Sequence, residues 1–265
     1  MEAVEAMKAE ILMLGSGTSM GVPTLGCHCR VCTSKDPRDR RTRPSIAIVY
    51  DGHCVLIDSG PDFRQQALRE GIDHLDAVLY THGHADHILG LDDLRPLSYK
   101  GSEKVPLFAD PATTAVLERI FEYTFSDSNN YPFKARVSLQ PLAARVPLFG
   151  MDFQPVPLLH GDLETVGFRF GSAAYLTDMS DIPETSFSLL EGLDVLILDA
   201  LRHAPHPSHS HIGRSLDFVE KVRPRQAFFT HMSHDVLHAE VDRELPKNVH
   251  LGYDGLRIPF EGAPC

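Results

Sequence analysis

Between Tyr80 and Gly90 the chain reads YTHGHADHILG, which places His82, His84, Asp86 and His87 within six positions just after the apolar run AVLY. Imidazoles and carboxylates are costly to bury alone, and together they form a donor set suited to zinc, manganese or iron. The spacing H-x-H-x-D-H brings His82 and His84 together, and a following helical turn aims Asp86 and His87 at a second nearby point. Two ions about 3.5–4 Å apart can clamp both the attacking and the leaving oxygen of a hydrolysis. Their coordination spheres need more donors, and other apolar runs end on them: His160 after VPLL, Asp178 after AYLT and His231 after AFFT. These add one His for each ion and a carboxylate able to bridge the pair.

A second cluster lies in GCHCRVC, where Cys27, Cys29 and Cys32 can converge on one tetrahedral ion. A closed structural zinc site takes four N or S ligands. The segment THMSHDV offers the fourth as His234, three residues past His231. Five cysteines in 265 residues, three of them crowded together, do not make a disulfide framework. Cys54 reads as a strand residue and Cys265 as a tail residue, neither with a role.

The elements that must position these groups are short apolar runs of strand length: ILMLG at Ile11, SIAIVY at Ser45, CVLIDSG at Cys54, AVLYTH at Ala77 and VPLFA at Val105. FQPVPLLH, TVGFRFG, AAYLTD, DVLILDA, QAFFTH and VHLGYDGLRI follow. Helical stretches are expected from Asp62, Asp110, Ile182, Ser215 and Asp235, several opened by Asp, Ser or Pro and two closed by Gly. This order, partly repeated in the second half, predicts two mixed sheets packed face to face with helices outside. With no low-complexity linker, residues 1–265 are expected to form a single domain, and the polar SDSNNYPFKARVSLQPLAARVP a peripheral connection.

A net charge of −11 disfavours broad capture of a nucleic-acid backbone, so nucleic acid is not an expected partner. No apolar run approaches the roughly 20 residues of a membrane span, and the acidic start MEAVEAMKAE is unlike a secretory signal, which predicts a cytoplasmic protein.

In its ordered motifs the sequence resembles the metallo-β-lactamase superfamily, with H-x-H-x-D-H followed by a downstream His, Asp and His. The resemblance runs from Asp58 to His231. It implies an αββα sandwich with the metals at one edge, His82, His84 and His160 on one ion, and Asp86, His87 and His231 on the other. Asp178 and a hydroxide would bridge, and Asp58 in LIDSG would orient the metal loop from behind. Asp at the bridging position matches the phosphoesterase branches, whereas true β-lactamases carry Cys there. The glycine-rich LGSGTSMGVPTLGCHCRVC, THMSH and YDGLRI further resemble the phosphoribosyl 1,2-cyclic phosphate phosphodiesterase branch. That likeness implies a structural zinc on Cys27, Cys29, Cys32 and His234, beside two catalytic zinc or manganese ions.

The expected reaction is hydrolysis of a small cyclic phosphate, of the 5-phosphoribosyl 1,2-cyclic or 2′,3′-cyclic nucleotide type, by a metal-bridging hydroxide. Asp86 and His211 are the expected catalytic residues, His211 protonating the leaving oxygen, with His209 as the fallback two positions earlier. Gly15, Gly17 and Gly21 could let backbone N–H groups approach a second phosphate. The alternatives are a ribonuclease Z-like tRNA 3′-processing enzyme, which would carry a basic, Gly-rich arm, and a non-catalytic protein resembling pyrroloquinoline quinone biosynthesis protein B. No such arm is readable, and the intact ligand set favours a hydrolase. A homodimer is left open.

Overall fold

In each of the strands that lead to the predicted ligands, apolar side chains point to both faces, as before Asp58 in Val55 and Ile57 against Cys54 and Leu56. A strand buried on both sides needs a partner layer on each, and the computed structural model, which describes residues 7–126 and 131–262, supplies them. The first sheet holds β1 (Met7–Gly15), β2 (Ser45–Tyr50), β3 (His53–Ile57), β4 (Ala77–Leu79), β5 (Val105–Ala109) and β6 (Val137–Pro141). The second holds β7 (Val146–Leu148), β8 (Met151–His160), β9 (Leu163–Phe170), β10 (Ala173–Leu176), β11 (Val195–Asp199), β12 (Gln226–Thr230) and β13 (Val249–Leu251). A last strand, β14 (Arg257–Gly262), returns to pair antiparallel with β1, giving seven strands in each sheet.

Ile46, Ile48, Ile57 and Leu79 of the first sheet meet Phe153, Phe168, Phe170 and Ile197 of the second in the central core. The outer face of the first sheet is covered by α1 (Phe63–Glu70), α2 (Ala85–Ile88), α3 (Arg95–Ser98), α4 (Pro111–Ile120) and α5 (Glu122–Phe125). On the outer face of the second lie α6 (Ile212–Val222) and α7 (His238–Val241). The architecture is the αββα sandwich expected from the sequence.

Strands β3 to β6 run parallel, as do β10 to β13, so their C-terminal ends gather at one edge. Asp58 follows β3, His82 follows β4, and Asp178 and His231 follow β10 and β12, while His160 and Asp199 are the last residues of β8 and β11. Asp58, Asp178 and His231 have φ of 64°, 48° and 58°, a left-handed backbone that non-glycine residues seldom adopt.

Several elements differ from the sequence reading. The polar middle stretch is more than a connection, because it contributes β6 and β7, each at an outer edge of its sheet. VHLGYDGLRI is not one strand but β13 and the start of β14, in different sheets. The chain crosses at Gly252, where a Cβ would collide with Met13, and turns at Gly255 with φ of 91°. The segment from Ile182 forms a 3-10 helix, and only four residues after Asp235 are α-helical. The acidic N-terminal six residues, four residues of the middle stretch and Cys265 lie outside the described residues.

Candidate metal centre

The structure draws His82, His84, His160 and Asp178 into one group, and Asp86, His87, Asp178 and His231 into a second; within each, donor atoms lie within 4.8 Å of one another. Asp178 belongs to both. His87 Nε2 lies 3.3 Å from Asp86 Oδ2 and 3.3 Å from Asp178 Oδ2, and His82 Nε2 lies 3.5 Å from Asp178 Oδ2. Donors about 2.0–2.1 Å from a tetrahedral ion stand about 3.4 Å apart, so this spacing fits shared coordination.

His87 and His160 are held from their outer faces, whereas the outer Nδ1 of His231 is buried without a hydrogen-bond partner. Asp58, fully buried, accepts from Thr81 N and Oγ1 at 2.8 Å each, and its Oδ2 lies 2.7 Å from His87 Nδ1. His160 Nδ1 lies 2.6 Å from the Ser208 carbonyl. A ring whose Nδ1–H is engaged in this way presents a bare Nε2 inward. In the second cluster three inner donors have no hydrogen-bond partner: Asp86 Oδ2, His87 Nε2 and His231 Nε2 are buried and unsatisfied, whereas in the first His82 Nε2 lies 2.9 Å from His84 Nδ1. His231 Nε2 comes within 2.8 Å of Asp178 Oδ1 without making an aligned hydrogen bond. Buried polar atoms left unpaired are expensive, and a cation at their common centre satisfies them together.

The electrostatics show the same demand. Burial opposes charge on His231, yet Asp178 and Asp86 outweigh it and push the imidazole up to about 10. Burial likewise opposes a charged His87, and Asp178, Asp58 and Asp86 overcome it. His82, where burial and the His87 charge act together, is driven well below its usual range. Without a cation, these carboxylates require protons on neighbouring rings.

The cysteine cluster also assembles. Cys27, Cys29 and Cys32 Sγ lie 3.2, 3.5 and 3.5 Å from His234 Nδ1. The Cys32 backbone N–H and neighbouring thiols lower Cys29 to about 6 despite its desolvation. Four such donors fit a closed tetrahedral zinc site.

The two histidines proposed as proton donors are placed differently. His211 is the N-cap of α6, with Nδ1 accepting from the Arg214 N–H at 3.4 Å. His209 instead lies against the cluster: its ring stacks on His231 at 4.7 Å and meets His160 edge-on at 4.6 Å. Its Nδ1 is 2.9 Å from Oδ2 of Asp199, a fully buried carboxylate that the sequence reading left without a role. Asp199 ends an apolar run as Asp178 does, and that pattern was its available signal.

The glycine-rich loop also departs from expectation. The N–H groups of Gly17 and Gly21 are taken by the carbonyls of Thr42 and Thr18, so they are not free for a phosphate. Gly15 and Gly17 allow close packing on Arg43 and Arg41, where a Cβ would meet backbone.

A family model for the beta-lactamase superfamily domain matches residues 53–232, which include all seven catalytic metal-ligand candidates. The chain belongs to the beta-lactamase superfamily. Among solved superfamily structures, a diphosphatase from the PhnP family is 53% identical, with a TM-score of 0.92 over 97% of this chain and 99% of that one. The zinc-bound PqqB of Methylobacterium extorquens is 21% identical, with a TM-score of 0.76 over 94% and 99% of the two chains, a likeness of fold alone. Among curated proteins, an octanoyltransferase of Porphyromonas gingivalis is 41% identical over 250 residues, 92% of this chain and 50% of that protein. The chain spans about half the length of the curated relatives it matches. No helix among the described residues of this superfamily member is long and apolar enough to cross a membrane.

Proposed function

We propose that the chain is a divalent-metal-dependent hydrolase of small phosphoric diesters, with a five-membered cyclic phosphate of the 5-phosphoribosyl 1,2-cyclic or 2′,3′-cyclic nucleotide type as its substrate class. Two four-donor clusters sharing the buried carboxylate of Asp178 support this reading. His82, His84, His160 and Asp178 would hold one zinc or manganese ion, and Asp86, His87, His231 and Asp178 the other; the cysteines and His234 would hold a structural zinc. Bound ions would offset charge on the phosphoryl oxygens and make a coordinated water acidic enough to attack phosphorus near neutral pH.

The protein's own part is orientation and proton transfer. Asp58 fixes the His87 ring, and the Ser208 carbonyl fixes that of His160. Hydrolysis adds OH to phosphorus and H to the oxygen whose bond to phosphorus breaks. An alkoxide leaving group needs that proton early, and His209, held through Nδ1 by Asp199, can carry it on Nε2. This role passes to His209 from His211, whose ring is engaged at the start of α6.

A second reading, hydrolysis of a diphosphate linkage, is favoured by the 53% identical diphosphatase. It uses the same phosphoryl centre with a better leaving group. The octanoyltransferase name belongs to a protein of which this chain spans half, and it lends this chain no acyl-transfer activity. The net charge of −11 counts against RNA as substrate.

The test is a panel of ribosyl cyclic phosphate, a nucleoside 2′,3′-cyclic phosphate, a nucleoside diphosphate, precursor tRNA and a β-lactam, assayed with metal-reconstituted protein. Turnover of the cyclic phosphates, abolished by chelation and restored by zinc or manganese, is expected. Turnover of the diphosphate alone would select the second reading, and activity on tRNA or the β-lactam alone would overturn both.

A further inference from the structure

His231 and His234 lie three residues apart, one in the catalytic cluster and the other in the cysteine cluster. The short segment joining them is held from several directions. Met232 N donates to the Ser16 carbonyl at 3.0 Å, and the Met232 carbonyl accepts from Thr18 N at 3.2 Å. Arg41, 1% exposed, donates from Nη1 to the Ser233 carbonyl at 3.0 Å and from Nη2 to the Val236 carbonyl at 2.8 Å, gripping the chain on both sides of His234. Nη2 also meets Asp39 Oδ1 at 3.1 Å, and that same oxygen accepts from His238 N at 2.8 Å. At its own backbone Arg41 is bridged to Val22, which packs with Val31 and Cys32 beneath the cysteine site. Arg41 thus joins the cysteine loop, through its backbone, to the segment that ends the catalytic ligand set, through its buried guanidinium.

We propose that Arg41 is a positioning residue that couples the two metal clusters, so that filling the cysteine site sets His231 and tightens metal binding at the catalytic centre. The inference rests on the metal reading of both clusters. An ion on Cys27, Cys29, Cys32 and His234 fixes one end of the segment. Arg41 holds its backbone as a rigid unit, and His231, in a left-handed conformation at φ of 58°, is left little freedom at the other end. With the cysteine site empty, His234 is released and the segment keeps only its backbone anchors. Groups that orient a ligand from behind typically change metal affinity by about 10–100-fold.

The experiment measures Mn2+ binding at the catalytic centre by electron paramagnetic resonance, with the cysteine site first filled by Zn2+ and then left empty. Cobalt substitution, through its thiolate charge-transfer band, reports cysteine-site occupancy independently of activity. In the wild-type protein, filling the cysteine site is expected to tighten Mn2+ binding about tenfold or more. Cys29→Ser is expected to bind Mn2+ as the empty wild type does. Arg41→Lys, with the cobalt–thiolate band intact, is expected to lose most of that gain. Equal Mn2+ affinity in folded wild-type protein with the cysteine site filled or empty would overturn the coupling. So would an Arg41→Lys protein that keeps the full gain. The wild-type comparison decides the coupling even if Arg41→Lys fails to fold. Absence of Mn2+ binding or of the thiolate band would instead mean that the metal reading itself fails, and the coupling with it.

Discussion

His209 and His211 sit two positions apart, and the structure gives them different neighbours: one the metal-ligand rings and Asp199, the other the first turn of α6. Replacing His209 by Ala should slow cyclic phosphates with alkoxide leaving groups by about 10²–10⁴-fold. It should barely slow bis(p-nitrophenyl) phosphate, whose leaving group needs no proton. His211→Ala should leave kcat near the wild-type value and cost up to about 1 kcal/mol of stability through the lost cap. Paired assays on the two substrates and a thermal melt distinguish these outcomes; an equal loss on both substrates would remove His209 from proton transfer. At Cys54, burial, helped by Asp76 and Asp73, pushes the thiol up to about 12. Iodoacetamide at neutral pH should therefore label Cys54 only after denaturant is added, as read by mass spectrometry. The sign of the linkage follows: the folded protein retains a proton that the unfolded chain loses above about pH 8.5, so stability falls as pH rises from there towards 12.

The loop after β3 and the turn that opens α2 are in backbone contact. A Cβ at Gly60 would collide with the Asp86 carbonyl, and one at Gly90 with the Gly60 carbonyl. Gly60→Ala should push the Asp86–His87 turn outward and weaken catalytic metal binding by about 10–100-fold, as loss of an outer-shell partner does. Far-UV circular dichroism should stay unchanged, and unaltered metal affinity in a competition titration would contradict the packing account. The strand ends that carry ligands were legible in the sequence because most of these strands are apolar runs that stop at or just before His or Asp, and β8 keeps that ending in VPLLH although Asp152 and Gln154 interrupt its start. Edge strands escape that signal: β6 mixes Ser138, Gln140 and Pro141 with its apolar residues, and β7 is three residues long. β13 and β14 read as one because apolar residues flank Gly252 on both sides, and only contact with Met13 reveals the crossing. The choice between His209 and His211 depended on the chain path into α6, which no local pattern encodes.

Three ions per chain are expected, two on the clusters that share Asp178 and one on the cysteines. Metal analysis of protein purified without chelator should find about three, and a single ion would refute the paired centre. The chelated protein should melt at a lower temperature, with Cys29→Ser showing a smaller further drop because its zinc site is already lost. The first sheet ends in His82, His84, Asp86 and His87, whereas His160, Asp178 and His231 come from the second. Catalytic ions bound there would therefore lie across the seam of the sandwich, each taking donors from both layers. They would act as rivets against shear of one sheet over the other. Hydrogen exchange in β3 and β4 should then slow in step with that in β10 and β12 when the ions bind, which makes the centre a mechanical joint of the fold as well as its reactive edge.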